Sequence, residues 1–221
     1  RAFSLFQNAT ERKQIEHAPH FNSTSKLLNK PEITPILHKL VTLSALPVAG
    51  IEEDFSVDST GFRTTTFSAY SGAKYGKSKE HQWVKAHLCA GVKTNVVAAV
   101  AITDAHSNDS PQFGPLVKKT AQGFTINEIS ADRAYSSRLN LQTVANEGGK
   151  AYIPFRKNAT GRAGGSAIWK KMFHYFQLNR DDFMEHYHKR SNIEATNAAI
   201  KRKFGETLKS KNPIAQVNEL L

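Results

Sequence analysis

The sequence predicts a mixed α/β domain with one central five-stranded sheet flanked by helices. Three observations carry that prediction. Strand-length apolar runs succeed one another between residues 52 and 102, with turn residues between them. Two more strand-like runs, 124–131 and 150–155, are each preceded by a helical segment. From Ala167 to about Phe204 the chain reads as helix almost throughout. Three antiparallel strands, then helix, strand, helix, strand, helix, describe one sheet with helices packed on it.

Each element has its own justification. Residues 1–50 read as a leading helical segment that packs on the rest of the chain. Pro31-Glu-Ile-Thr-Pro35 breaks it, and Ile36, Leu37, Leu40, Val41 and Leu43 then recur at helical spacing before Pro47. The run from Glu52 to Gly61 alternates as a strand, Phe55 and Val57 to one side, Ser56 and Asp58 to the other. The runs Trp83–Ala90 and Val96–Ile102, joined by Gly91-Val-Lys-Thr-Asn95, read as a hairpin. Ser110-Pro-Gln-Phe113 opens a helix that continues through Lys119. Phe124–Ala131 is read as a strand ending in Asp132, Ser136–Ala145 as a helix closed by Gly148-Gly149, and Lys150–Phe155 as the fifth strand. Lys157–Ser166 is a loop rich in glycine and cations. The last helical stretch is broken near Asn179, an N-cap residue type, and stopped by Gly205. The organisation expected is a leading segment over 1–50 and an α/β domain over 51–221. The start at Arg1 and the stop at Leu221 read as a fragment of a longer protein.

Composition narrows the class. At 221 residues, 39% hydrophobic and 22% charged, the chain is long enough for a real core and is neither disordered nor membrane-like in composition. Its longest apolar run, Val96–Ile102, is too short to span a bilayer, and no signal-peptide pattern opens the chain. Cys89, the one cysteine, lies in an apolar run, reads as core and suits a reducing compartment. Thirty Lys and Arg against nineteen Asp and Glu give a formal charge of +11. The resulting pI near 9.7 is the electrostatic footprint of a nucleic-acid binder.

Three acids stand out by position. Asp58 is read as ending the first strand and Asp132 the fourth, and ligands of open α/β sheets gather at strand ends. Glu194 lies within the basic helical stretch HYHKRSNIEATNAAIKRKFG, residues 186–205. On one continuous helix, Tyr187, Arg190, Glu194 and Lys201 fall within roughly 60° of one another. That stripe is either a solvated face or the lining of a site. His186 and His188 flank Tyr187 and point away from it. Taken singly, a strand-end Asp is a turn or cap residue and a helical Glu is solvated. Brought together, three carboxylates suit hard divalent cations, which prefer oxygen ligands and can clamp a phosphodiester displacement.

The same residues carry a resemblance. Tyr187, Arg190, Glu194 and Lys201 stand as Tyr-(2)-Arg-(3)-Glu-(6)-Lys, preceded by DFSVDSTGF (54–62) and ISADRAY (129–135). These blocks, in this order, resemble those around the three acids of bacterial insertion-sequence DDE transposases, over about residues 45–215. The resemblance implies an RNase H-like catalytic domain and metal-dependent DNA strand cleavage and strand transfer. It assigns catalysis and metal binding to Asp58, Asp132 and Glu194, with Mg²⁺ as cofactor and Mn²⁺ able to substitute. Lys201, with Arg202 and Lys203, would meet the DNA backbone. Arg190 would pair with Glu194 or a phosphate, and Tyr187 would bond a phosphate or stack on a displaced base. The partners implied are transposon-end and target DNA and a second copy of the chain, in the cytoplasm at the nucleoid and with no membrane.

Asp109 and His106, in the polar stretch after the third strand, are candidates for groups just behind the metals, or for a helix cap and a solvated loop. Trp83 and Trp169 read as core. The stretch Arg63–Thr66 and the cation-rich 71–79 read as a basic loop contacting DNA backbone, since the latter lacks the setting of an ATP site. The short interval from Asp132 to Glu194 leaves no room for a large inserted domain, and an upstream DNA-binding region of the kind the resemblance implies is expected to be absent or reduced to residues 1–45. A DNA-binding module without catalysis and a metal-dependent nuclease that does not transpose stay open on sequence grounds. Metal-dependent nicking and strand transfer separate them.

Overall fold

The structure is a computed structural model that describes residues 2–64, 83–162 and 164–221. Helices α1 (Ala2–Glu11), α2 (Phe21–Leu28) and α3 (Ile33–Ala45) lead into β1 (Asp54–Arg63). Then come β2 (Trp83–Gly91), β3 (Val97–Asp104), α4 (Ser110–Ala121), β4 (Glu128–Ala131), α5 (Arg138–Asn146) and β5 (Lys150–Tyr152). Helices α6 (Ala167–Leu178), α7 (Arg180–His188), α8 (Ser191–Phe204) and α9 (Pro213–Leu220) complete the chain. Of the basic stretches expected at Arg63–Thr66 and 71–79, Arg63 ends β1, while 65–66 and 71–79 lie outside the described residues.

The five strands form one sheet in the order β3-β2-β1-β4-β5. The first three pair antiparallel, and β4 and β5 add in parallel with β1 on its other side. This is the mixed sheet, flanked by helices, that an RNase H-like fold requires. Strand alternation splits it into two faces. Phe55, Val57, Cys89, Ile129 and Ala131 lie on one face, all within 1% of full burial, in a core with Phe113, Leu116, Val117, Leu141 and Val144 from α4 and α5. Leu88, Ala90, Phe62 and Val100 lie on the other, beneath Ile193 of α8 and Leu208.

Several elements depart from expectation for local reasons. Only 128–131 of the fourth strand is laddered. Phe124 N–H still bonds the Thr120 carbonyl at the end of α4, and Phe124 meets Phe55 edge-on. β5 stops at Tyr152, just before Pro154, whose nitrogen has no proton for a ladder. The break at Asn179 is present, but its side chain makes no capping bond. α3 faces the sheet with Leu37, Val41 and Ala45, while Ile36, Leu40 and Leu43 stay exposed. α9 joins the leading helices through Asn218, which donates to the Leu28 and Lys30 carbonyls and accepts from Thr34. Trp169 is core, its indole N–H donating to the Thr160 carbonyl at 2.8 Å; Trp83 is half-buried under Arg63. No helix among the described residues is long and apolar enough to cross a membrane.

Candidate active site

One strip of the sheet is polar where a core face would be apolar. Register pairs Asp54 with Glu128 and Ser56 with Ser130. The next pair in step is Asp58 with Asp132, since Val57 already faces Ala131. Adjacent parallel strands thus carry acid against acid and serine against serine, and the step beyond the last pair sets Asp58 against Asp132, just past the end of β4. Asp58 does not end its strand, as expected, but stands within β1 at the point where β4 gives out. Asp132 caps the turn 133–135, its carboxylate accepting from the Ala134 N–H at 2.7 Å.

The third acid arrives over this strip from the helices. The expected continuous stripe is broken: α7 ends at His188 and α8 begins at Ser191. At the corner the backbone bonds tighten to i→i+3 spacing, Arg190 N–H to Tyr187 and Ile193 N–H to Arg190. Tyr187 therefore sits on a different helix from Glu194 and packs, half-buried, against the main core. Arg190 lies at the corner, 2.7 Å from the Glu194 carboxylate and 3.7 Å from that of Asp58. Its guanidinium stands between two of the three acids. The Glu194 side chain is 59% exposed against 17% for Asp58, and the described residues include no cluster of acids, histidines or cysteines at metal-holding distances.

Charge accounts for this arrangement. Burial pushes the Asp58 carboxyl above the usual carboxylate range; Arg190 and the Ser59 backbone oppose it, and the charges of Asp132 and Glu194 push further up. Three carboxylates share one local field with one guanidinium among them. An all-oxygen, net-negative donor set fits a hard divalent cation.

The other expected residues fall at varied distances from this point. Lys201 lies along α8 with its ammonium over the Phe62 ring, while Arg202 and Lys203 are exposed at the end of that helix. Asp109 holds Lys85 at 2.9 Å and faces the buried His87 at 3.7 Å. On top of burial, its charge and those of Asp58 and Asp132 raise the pKa of the Tyr135 hydroxyl. His106 lines a cavity beyond it, of about 650 Å³, with Lys85, Ser110, Asn140 and Arg156.

The transposase DDE domain family matches residues 50–221. The chain belongs to that family. A relative from Archaeoglobus fulgidus, named a probable transposase for insertion sequence element ISA1214, is 28% identical over 185 residues. The match covers 84% of this chain and 55% of that protein, so the chain spans about half the relative's length.

Two features of this DDE domain escaped sequence reasoning. His186, which faces away from the Glu194 stripe, stacks on Tyr152 at 4.3 Å and meets the Glu128 carboxylate at 2.8 Å. Lys189 bonds both Asp54 and Glu128. A signal was available: Asp54 and Glu128 precede Asp58 and Asp132 by four residues each, and so share their strand faces.

Proposed function

We propose that the chain is the catalytic domain of a transposase that cleaves DNA strands at transposon ends and joins them to target DNA. One observation carries this reading. Asp58 on β1 and Asp132, the residue that follows β4, lie one step beyond the last paired residues of two adjacent parallel strands, and Arg190 reaches both Asp58 and Glu194.

Asp58, Asp132 and Glu194 are the residues that would hold Mg²⁺, or Mn²⁺ in its place. Bound there, the metal would lower the pKa of the attacking water and offset charge developing on the phosphoryl oxygens. In the first reaction, water forms a bond to phosphorus as the bond to the 3′-oxygen breaks, leaving a 3′-hydroxyl and a 5′-phosphate. In the second, that 3′-hydroxyl attacks a target phosphodiester in line and displaces its 3′-oxygen. The protein's part is placement. Arg190, held between acids, can exchange a carboxylate for a phosphate without changing its geometry of donation. Lys201, Arg202 and Lys203 line the continuation of the same helix and neutralise backbone phosphates. The overall charge of +11 draws DNA to the domain.

Incubation with supercoiled plasmid and Mg²⁺ or Mn²⁺ tests the reading. Metal-dependent nicking by the parent chain, absent from Asp58→Asn and Glu194→Gln variants that still retard DNA, supports it. Nicking that persists in both variants overturns it.

A further inference from the structure

Asp54 and Glu128 face each other on neighbouring strands and are only 9% and 8% exposed. Two carboxylates so placed repel. Lys189 resolves this, its ammonium 2.9 Å from Asp54 and 2.8 Å from Glu128. Asn127 completes the Asp54 side at 3.0 Å, and His186 the Glu128 side at 2.8 Å. The main chain of Lys189 is engaged as well, its carbonyl accepting from the Ser56 hydroxyl at 3.3 Å. One residue thus grips the polar strip at two levels, the acid pair with its side chain and the serine pair with its backbone. It does so where the helix breaks and i→i+3 bonds replace the longer helical spacing.

The next residue is Arg190, and one turn later comes Glu194. We infer that Lys189 is a positioning residue, whose clamp on Asp54 and Glu128 fixes the corner that aims Arg190 and Glu194 at Asp58. The inference rests on the function proposed above for those acids. Glu194 is mostly exposed, so its place over the sheet depends on where its helix starts. Ile193 is buried in the first turn of α8, and Thr196 ties the helix down further along, bonding Asn95 at 3.0 Å. Lys189 fixes the corner that immediately precedes that turn. A displacement of about 1 Å at a reacting group costs up to roughly a hundredfold in rate.

The test uses Lys189→Met and the paired variant Glu128→Gln/Lys189→Met. The single change strands two acids and is expected to lower stability. The paired change removes one of them, which keeps the fold available for measurement. Two readouts are taken on the paired variant: hydrogen exchange of the amides of 190–194, and a Mn²⁺ titration followed by electron paramagnetic resonance. The expected result is exchange about tenfold faster at the corner with β1 and β4 unchanged, and a Mn²⁺ midpoint raised about tenfold or more. Unchanged exchange at the corner overturns the inference, and so does a loosened corner with an unchanged Mn²⁺ midpoint. A parent chain that binds no Mn²⁺ refutes the proposed function separately, while the exchange data still decide whether Lys189 holds the corner.

Discussion

Lys189 and Arg190 are consecutive in the chain, yet they reach acids four residues apart on β1, Lys189 to Asp54 and Arg190 toward Asp58. The two acids respond in opposite senses. Burial pushes Asp54 up, but hydrogen bonds from Lys189 and Asn127 outweigh it, and the net shift is downward. Asp58 is half-buried, and there the guanidinium does not offset the loss of solvent, so the net shift is upward.

The signs give a stability prediction. A depressed carboxyl adds stability that is present above the unfolded pKa and lost as pH falls through the folded value. A raised carboxyl binds its proton more tightly when folded, so stability falls as pH rises through its raised range. Asp54→Asn should therefore destabilise at neutral pH, with the deficit shrinking in acid. Asp58→Asn should stabilise the metal-free protein at neutral pH, with the gain shrinking in acid. Urea denaturation across pH 3–8 checks both signs.

Arg190 takes the place of a cation between Asp58 and Glu194. Arg190→Gln is expected to lower the melting temperature of the metal-free protein, because it leaves the carboxylates to repel one another. Added Mn²⁺ should restore more of that loss in the variant than it adds to the parent. Thermal denaturation with and without the ion makes the comparison.

Lys201, Arg202 and Lys203 are expected to act through charge alone. Each single change to alanine should weaken binding to unrelated DNA sequences about equally. It should reduce the slope of log affinity against log salt by about 0.9 for each phosphate that is no longer neutralised. Filter binding across a salt series measures this. An unchanged slope in all three variants would remove these residues from the DNA interface.

Ile129 tests the frame that holds the acids. It is fully buried on β4 between Glu128 and Ser130, with its side chain on the opposite, apolar face. Ile129→Ala should cost about 2–5 kcal/mol, read as a lower urea midpoint with little change in slope.

Much of this architecture was legible in the sequence because it is local. Alternation at Phe55, Ser56, Val57 and Asp58 gives the strand and its two faces, and Gly91–Asn95 gives the hairpin. The neighbouring of β1 and β4, which brings Asp58 near Asp132, was not legible, because strand order is set by long-range pairing. The break at 189–190 was not legible, because Lys189 and Arg190 are good helix formers and their partners lie on distant strands. The helical stripe through Tyr187 and Glu194 requires a continuous helix, and the helix breaks where Lys189 meets Asp54 and Glu128. The clamp was equally hidden, since a buried acid pair shows itself only when register is known.

The central claim is that Asp58, Asp132 and Glu194 together hold metal. A crystal of the protein grown with Mn²⁺, measured for anomalous scattering, tests it most directly. The account predicts an anomalous peak bonded to oxygens of Asp58, Asp132 and Glu194, with the Arg190 guanidinium moved off Glu194. Anomalous density elsewhere on the chain, with Arg190 still on Glu194 and no peak at the three acids, would contradict it.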